Sequence, residues 1–359
     1  GVVNTELPDS IRVRIEDANG LPVEGVPVFF RPAQGGGSVS TPYQDDGIIR
    51  FEAEWGSPVP PMATADDDAA SRGSYIFSTQ HAGTNRGYAS YKFSVDSAAT
   101  YYYWGRVKNI TYSLSPTYRY VFGFELVGQD PADQGITWEV LREENADGEI
   151  TGDWQWDAVQ AHGVNQVHSH YLEPGDYIIR VWTGHRDVYL DKLIITHRSP
   201  QNWQPRGQEK KKVNLSDSNG EAATAWTLGT TSDDLSTPEL NEGENLLEAW
   251  TFSSSQSLVF SATALPGQLA SLAKGAENLQ GTSGDTLDLP VTASDQFGNS
   301  IPGQAVNFAV VSGGGLLVVN GDDSGEEVTL QTDNSGRATA RLVLGAEDSV
   351  KVRAYADTG

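Results

Sequence analysis

Glu52 and Glu54 stand two residues apart in Ile49-Arg50-Phe51-Glu52-Ala53-Glu54, a run that reads as a β-strand. Side chains alternate across a strand, so both carboxylates fall on one face. Like charges there repel unless a cation or water separates them. A hard divalent ion answers that need, and an all-oxygen set suits calcium rather than zinc. The plainer reading is a solvated acidic strand face. Trp154 and Trp156 share a face in the same way, so one ring can be exposed and the other core, with Trp154, nearer the loop, the exposed one.

Other chemistry-bearing groups point less sharply. His168 and His170 form a same-face pair with His162 six residues upstream of His168, but no third zinc ligand sits at a suitable spacing. Asp66-Asp67-Asp68, and Asp322-Asp323 with Glu326-Glu327, read as solvated loop carboxylates, with a secondary calcium site as the alternative. Lys210-Lys211-Lys212, the one basic run, offsets local acidic charge. No Gly-x-Ser-x-Gly elbow, phosphate-cradling loop or His-Glu-x-x-His element occurs. Glu143-Glu144, or Asp153 with Asp157, supply carboxylate pairs, but glycoside hydrolysis normally presents such pairs in a larger cleft. The chain therefore reads as non-catalytic.

The elements that position these residues follow from composition and repetition. The 359 residues carry 24 Lys plus Arg against 48 Asp plus Glu, a net charge of -24, and no cysteine. So acidic a surface repels phosphate backbones and anionic headgroups, which sets nucleic acid and membrane surfaces aside. No apolar run approaches the roughly 20 residues of a membrane-spanning helix. Thiol catalysis and disulfides are excluded, leaving core burial or oxygen-ligated metals to hold the units together. The opening Gly1-Val2-Val3-Asn4 lacks the features of a signal peptide, so either one is already gone or the chain is an internal piece.

Two copies of one pattern are present. Asp17 to Gly37 spans 20 residues, as does Asp295 to Gly315, and Gly220 to Gly229 matches Gly336 to Gly345. Between the paired segments the copies differ, since Gly37 to Asp217 spans 180 residues and Gly315 to Asp333 only 18. Each half-copy alternates as antiparallel strands around Asp-x-x-Gly turns. Loop tips accept insertions and strand interiors do not. The expected fold is all-β: a β-sandwich formed by 1–44 and 208–265, an inserted unit over 45–207, and a second sandwich over 266–359. The insert holds 12 of the 14 Tyr, seven of the nine Trp and all six His. Flat rings cover the C–H patches of sugars while amides, carboxylates and Arg bond the hydroxyls, so a recognition surface is expected here, although many of these rings must build core.

The pattern D-x-x-G-x-x-x-x-G-x-x-V-x-F, then Gly-Gly-Gly, D-x-x-G-x-A-x-A and Leu-Gly, resembles the bacterial Ig-like repeats of invasin- and intimin-type adhesins. In the first copy it falls on Asp17, Gly20, Gly25, Val28, Phe30, Asp217, Gly220, Ala222 and Gly229. Ala264-Leu265-Pro266-Gly267-Gln268 is similar to the junction between consecutive repeats, so the chain reads as cut from a longer array with neighbouring Ig-like repeats as partners. The insert resembles carbohydrate-binding modules of families 6 and 35, with their galactose-binding-like jelly roll. Its landmarks are Glu52-Ala53-Glu54, Ser71-Arg72-Gly73-Ser74-Tyr75, the Gly87–Val95 strand, the strand ending in Arg106, Trp154-Gln155-Trp156, Pro174-Gly175-Asp176-Tyr177 and Leu190-Asp191-Lys192-Leu193.

That resemblance implies a structural Ca²⁺ held by Glu52, Glu54, Asp191 and carbonyls near Ser71 to Ser74. It also implies a sugar site built from Tyr75, Trp154 and the loop residues His185, Arg186 and Asp187. Those three stand where many relatives offer an Asn, which leaves room for an acidic or otherwise unusual sugar. The leading expectation is a non-catalytic, extracellular carbohydrate-binding and adhesion segment of a bacterial surface protein, its Ig-like spacers presenting the jelly roll to a glycan or polysaccharide. Two alternatives stand beside it: a filament segment in which the jelly roll mediates packing, and an accessory binding region of a polysaccharide-degrading enzyme.

Overall fold

The computed structural model describes residues 1–41, 47–56, 58–80, 87–110, 121–129, 136–140, 152–161, 166–183, 186–209, 213–233, 242–251, 257–276, 279–319, 323–347 and 349–356. Their regular structure is β throughout, apart from two 3-10 turns at Ala53–Gly56 and Ser71–Gly73.

Two sheets enclose the largest core. One runs in the order Gln155–Ala158, Ala99–Asn109, Val188–Thr196, Ser74–Ser78, Met62–Asp66, with Ser169–Leu172 also on Ala99–Asn109 and Ile48–Glu52 also on Val188–Thr196. The other runs Ile136–Glu139, Val121–Leu126, Gly175–Thr183, Tyr88–Val95. All pairs are antiparallel. The period-2 pattern explains which rings are interior: Tyr101, Tyr103 and Val107 face inward beside Tyr91, Phe93, Phe122 and Phe124, all fully buried. Thr100, Tyr102, Trp104, Arg106 and Lys108 take the outer face of the same strand. The aromatic load of this segment is thus largely core.

A second core joins segments far apart in sequence. Ile11–Arg14 pairs with Glu221–Thr224, and Pro27–Gln34 lies between Asn214–Leu215 and Glu244–Trp250, which pairs in turn with Leu258–Thr263. Val28, Phe30, Trp226 and Leu247 fill the interior. A third core, of Val306, Phe308, Leu317, Ala340 and Leu342, lies between the sheet of Ser271–Lys274, Thr286–Ser294, Arg337–Leu344, Gly315–Val319 and Asp323–Gly325 and the sheet of Glu327–Gln331, Ala305–Ser312 and Lys351–Tyr355.

The repeated glycines have a physical reason. A Cβ on Gly229 would lie 1.6 Å from the Gly35 carbonyl oxygen, and one on Gly345 would lie 1.5 Å from that of Gly314. In both copies the Leu-Gly glycine therefore admits the backbone of the Gly-Gly-Gly segment at a distance no side chain allows.

The first and second cores also touch. Phe29 and Trp250, opposite each other in register, point away from Val28 and Phe30 and join the jelly-roll core, with Trp55 at a ring distance of 6.1 Å from Phe29. Arg31 sits over the Trp250 ring, 2.6 Å from Glu248 and 3.6 Å from Asp176 of the Gly175–Thr183 strand. A latch also joins the first and third units. The Asn299 side chain accepts the Ser232 N–H at 3.0 Å and donates to the Thr230 carbonyl at 2.8 Å.

Candidate functional site

The expected strand over Glu52 to Glu54 is corrected by the structure: it ends at Glu52, and Ala53–Gly56 turns as a 3-10 helix. Tyr91 forces the turn. Its hydroxyl donates to the Ala53 carbonyl at 2.7 Å, and its ring lies where a Gly56 Cβ would be, 2.4 Å from Cζ. Alternation therefore does not place Glu54 beside Glu52. The turn still leaves both carboxylates in one electrostatic neighbourhood with Asp191.

A β-bulge sets the other side of this cluster. In Val188–Thr196, Leu190 pairs with Val107 and Lys192 with Arg106, so Asp191 is the extra residue and joins Lys192 on the outer side. Asp191 Oδ1 accepts the Ser71 N–H at 2.7 Å and Oδ2 accepts Arg106. Lys192 Nζ reaches Glu52 Oε1 at 2.8 Å, Ser71 Oγ at 3.3 Å and the Gln208 carbonyl at 3.0 Å. Arg72 lies 3.4 Å from Glu52 Oε1. Glu52 Oε2 and Glu54 Oε2 are buried without a hydrogen-bond partner. Burial, reinforced by Glu52 and Asp191, pushes the Glu54 carboxyl up to about 8. Burial likewise raises Asp191 to about 6 against the pull of Arg106, and lowers Lys192 against the attraction of Glu52.

These observations test calcium on the residues present. The orphaned oxygens of Glu52 and Glu54 suit a hard cation. Asp191 differs from the expected ligand set, because both its oxygens are committed to protein donors. Ser71 offers it an N–H, and the Ser74 hydroxyl donates to Asp66 at 3.0 Å, away from the cluster. Among the described residues, no three acidic or histidine side chains converge as a metal site.

The segment from Ser199 to Glu209 roofs this part of the sheet. Trp203 packs on Ile48, Trp104 and Ile194, Trp156 Nε1 donates to the Gly207 carbonyl at 2.9 Å, and Glu209 holds Arg50 at 3.1 Å. Beyond the roof the same outer face carries half-buried rings. Tyr189 lies opposite both Phe77 and Lys108 in register. Tyr75 stands 4.8 Å from Tyr189, 5.6 Å from Trp154 and 5.8 Å from Phe77, centroid to centroid. Trp154 Nε1 donates to Asp67 Oδ2 at 3.1 Å, which also takes Lys108 Nζ at 3.0 Å. Burial raises the Asp67 carboxyl, but the Ala69 N–H, Lys108 and Trp154 outweigh it and hold it below its ordinary range. Arg106 and Lys108 both lie over the indole, at 5.6 and 5.7 Å. At the end of this face, exposed Arg186 pairs with Asp187 at 3.6 Å. His185 lies outside the described residues.

The structure thus brings Tyr75 and Trp154 together, with Arg186 and Asp187 three and two residues from Tyr189 along the chain. Residues 69–202 match the family model described as the glycosyl hydrolase family 115 C-terminal domain. Among solved structures, the chain is similar to the C-terminal family 6 carbohydrate-binding module of LamC, a marine laminarinase from Zobellia galactanivorans, at 14% identity over 42% of this chain and 98% of that one, TM-score 0.28. It is also similar to a family 35 carbohydrate-binding module from Clostridium thermocellum, at 18% identity over 41% and 97%, TM-score 0.27. A third likeness is to the D00-D0 domain of intimin, at 14% identity over 44% and 70%, TM-score 0.23. No curated protein matches the chain.

The family match contains Tyr75, Trp154, Arg186, Asp187 and Asp191 and leaves out Glu52 and Glu54. Sequence reasoning missed Phe77, Tyr189, Lys108 and Asp67 as one surface. The alternation of Tyr75 with Phe77 was the available signal; the Tyr189 and Lys108 register was not legible from the sequence. The opposite sheet holds a further group: the Trp182 indole packs against Gly123, where a Cβ would meet it at 1.9 Å, and Arg180 stands 5.5 Å over the Tyr88 ring. His168 and His170 are instead bound into the wall, their rings 4.6 Å apart and His170 Nδ1 2.9 Å from the Tyr103 hydroxyl.

Proposed function

We propose that the chain is a non-catalytic carbohydrate-binding segment of a larger extracellular protein, in which two Ig-like sandwiches, 1–44 with 208–265 and 266–359, present the inserted jelly roll over 45–207. The observation that carries this reading is the half-buried surface of Tyr75, Phe77, Tyr189 and Trp154, bordered by Lys108, Asp67, Arg186 and Asp187. Ring faces cover sugar C–H patches, and the charged border supplies hydroxyl partners. The match of residues 69–202 to a domain of glycosyl hydrolases supports the same reading.

Glu52 and Glu54 would hold a structural Ca²⁺ through their unpartnered oxygens, with Lys192 turned aside and backbone carbonyls completing the shell. Calcium would there neutralise buried carboxylates and fix the Ala53–Gly56 turn. Glycan-array binding, repeated in calcium and in chelator, tests the proposal: a specific glycan signal lost in Trp154→Ala supports it, and a blank array favours a packing role in a filament. A second reading, an accessory region of a polysaccharide-degrading enzyme, is favoured by the hydrolase-derived family model. A catalytic domain in the same gene would select it over an adhesin.

A further inference from the structure

Trp154 stands one residue before Gln155, where its strand begins to pair in register, with Val107. The sheet ladder therefore does not fix it. Its indole is held by side chains instead: Nε1 donates to Asp67 Oδ2 at 3.1 Å, while Arg106 and Lys108, two apart on one strand, stand over the ring at 5.6 and 5.7 Å.

Asp67 opens the connection from Met62–Asp66 to Ser74–Ser78. That connection is bonded to itself, with the Ala70 N–H on the Asp67 carbonyl at 2.8 Å, the Asp67 N–H on the Gly73 carbonyl at 3.0 Å and the Ala69 N–H on Asp67 Oδ1 at 2.9 Å. It is also strained, because Arg72 takes a φ of 58°, a left-handed conformation that side chains disfavour. Such backbone persists only where its surroundings over-determine it. Here Glu52 and the Trp55 ring hold Arg72 at 3.4 and 5.4 Å, and Asp191 Oδ1 takes the Ser71 N–H at 2.7 Å.

Arg106 joins these parts, and it is only 8% exposed. Nη1 donates to Asp191 Oδ2, and Nη1 and Nη2 each donate to the Ala69 carbonyl at 3.3 Å, beneath the Trp154 contact. A guanidinium is a rigid planar fork that can hold several groups at set angles, which an ammonium on a flexible stem cannot.

We propose that Arg106 and Asp67 are positioning residues of the glycan surface: Arg106, pinned by Asp191, fixes the Asp67–Gly73 connection, and Asp67 in turn fixes the orientation of the Trp154 indole. The proposal rests on the reading of Trp154 as a sugar-stacking ring. It makes affinity depend on a buried ion pair that no sugar touches. A ring already held in place has little freedom to lose on binding, so a loosened bracket weakens binding although every ring remains.

The test uses the full chain, the arrayed glycan with the strongest wild-type signal, and ¹⁵N-labelled protein in which the Trp154 indole resonance is assigned by its loss in Trp154→Phe. Arg106→Lys keeps the charge and removes the fork. Asp67→Ala, at the half-buried end of the bracket, keeps the fold should Arg106→Lys lose it. Each is expected to weaken binding about tenfold or more, and to shift and broaden the Trp154 indole signal while those of Trp226 and Trp250 stay in place. In a Trp154→Ala background neither should cost anything further, because both act through that ring. Arg31→Lys, which disturbs the ion pair with Glu248 away from this bracket, should lower stability and leave affinity unchanged. Wild-type affinity in both Arg106→Lys and Asp67→Ala would overturn the proposal and leave the aromatic surface standing. Losses that add in full to that of Trp154→Ala would overturn it too, because the two residues would then touch the sugar themselves. A blank array, or wild-type binding by Trp154→Ala, would remove the underlying reading and this proposal with it.

Discussion

Lys192 Nζ lies 2.8 Å from Glu52 Oε1, a fully buried ion pair made across paired strands and enabled by the bulge at Asp191. Removing one member of such a pair strands the other, which costs roughly 3 to 5 kcal/mol. Lys192→Met should therefore destabilise the chain by about that amount in chelator, measured by urea denaturation, and a double variant with Glu52→Gln should recover a large part of the loss.

Glu54 sets a pH dependence. Its carboxyl moves from 4.5 to about 8 on folding, so the folded state binds the proton more tightly than the unfolded chain. The associated stability is fully present below pH 4.5 and is lost as pH rises through about 8. Asp191, raised from 3.8 to about 6, acts in the same direction over a lower window. In calcium-free buffer the denaturation midpoint should fall between pH 5 and 8.5, and Glu54→Gln should flatten the upper part of that slope.

Calcium should reverse this trend by favouring the ionised carboxylates. Millimolar Ca²⁺ at pH 8 is expected to raise the melting temperature of the wild-type chain and to leave Glu54→Gln unchanged. An equal shift in both would remove Glu54 from the ligand set.

At the aromatic face, Trp154→Ala should weaken glycan binding by about 30-fold or more, the scale of a central aromatic anchor. Tyr75→Ala should act similarly, whereas Tyr171→Ala, an exposed ring on Ser169–Leu172 outside this cluster, should leave affinity unchanged. Affinity electrophoresis with circular dichroism on each variant separates lost binding from lost fold.

The glycine contacts predict parallel effects in two places. Gly229→Ala and Gly345→Ala each bring a Cβ onto a backbone oxygen, so each should cost about 3 kcal/mol or more in its own sandwich. Phe29→Ala, by contrast, should lower the unfolding midpoint of the jelly roll and the first sandwich together, at about 3 to 5 kcal/mol, because the ring belongs to the core they share. Separate transitions for the two in differential scanning calorimetry would contradict that coupling.

The sequence by itself determined the β class, because its periodicity is 2 throughout, and the repeat, because the same turns and close backbone approaches recur at fixed spacings. It also marked Tyr75 and Trp154, whose rings lie 5.6 Å apart, and the acidic pair at Glu52 and Glu54. Tertiary structure decided the rest. Alternation carries the side-chain face only while a strand stays regular, and the turn at Ala53 and the bulge at Asp191 each break it. Partners such as Lys192 for Glu52, Tyr189 for Tyr75 and Trp250 for Phe29 come from strands joined across long stretches of chain. Register between such strands is fixed by packing in the assembled sheet, and no local spacing encodes it.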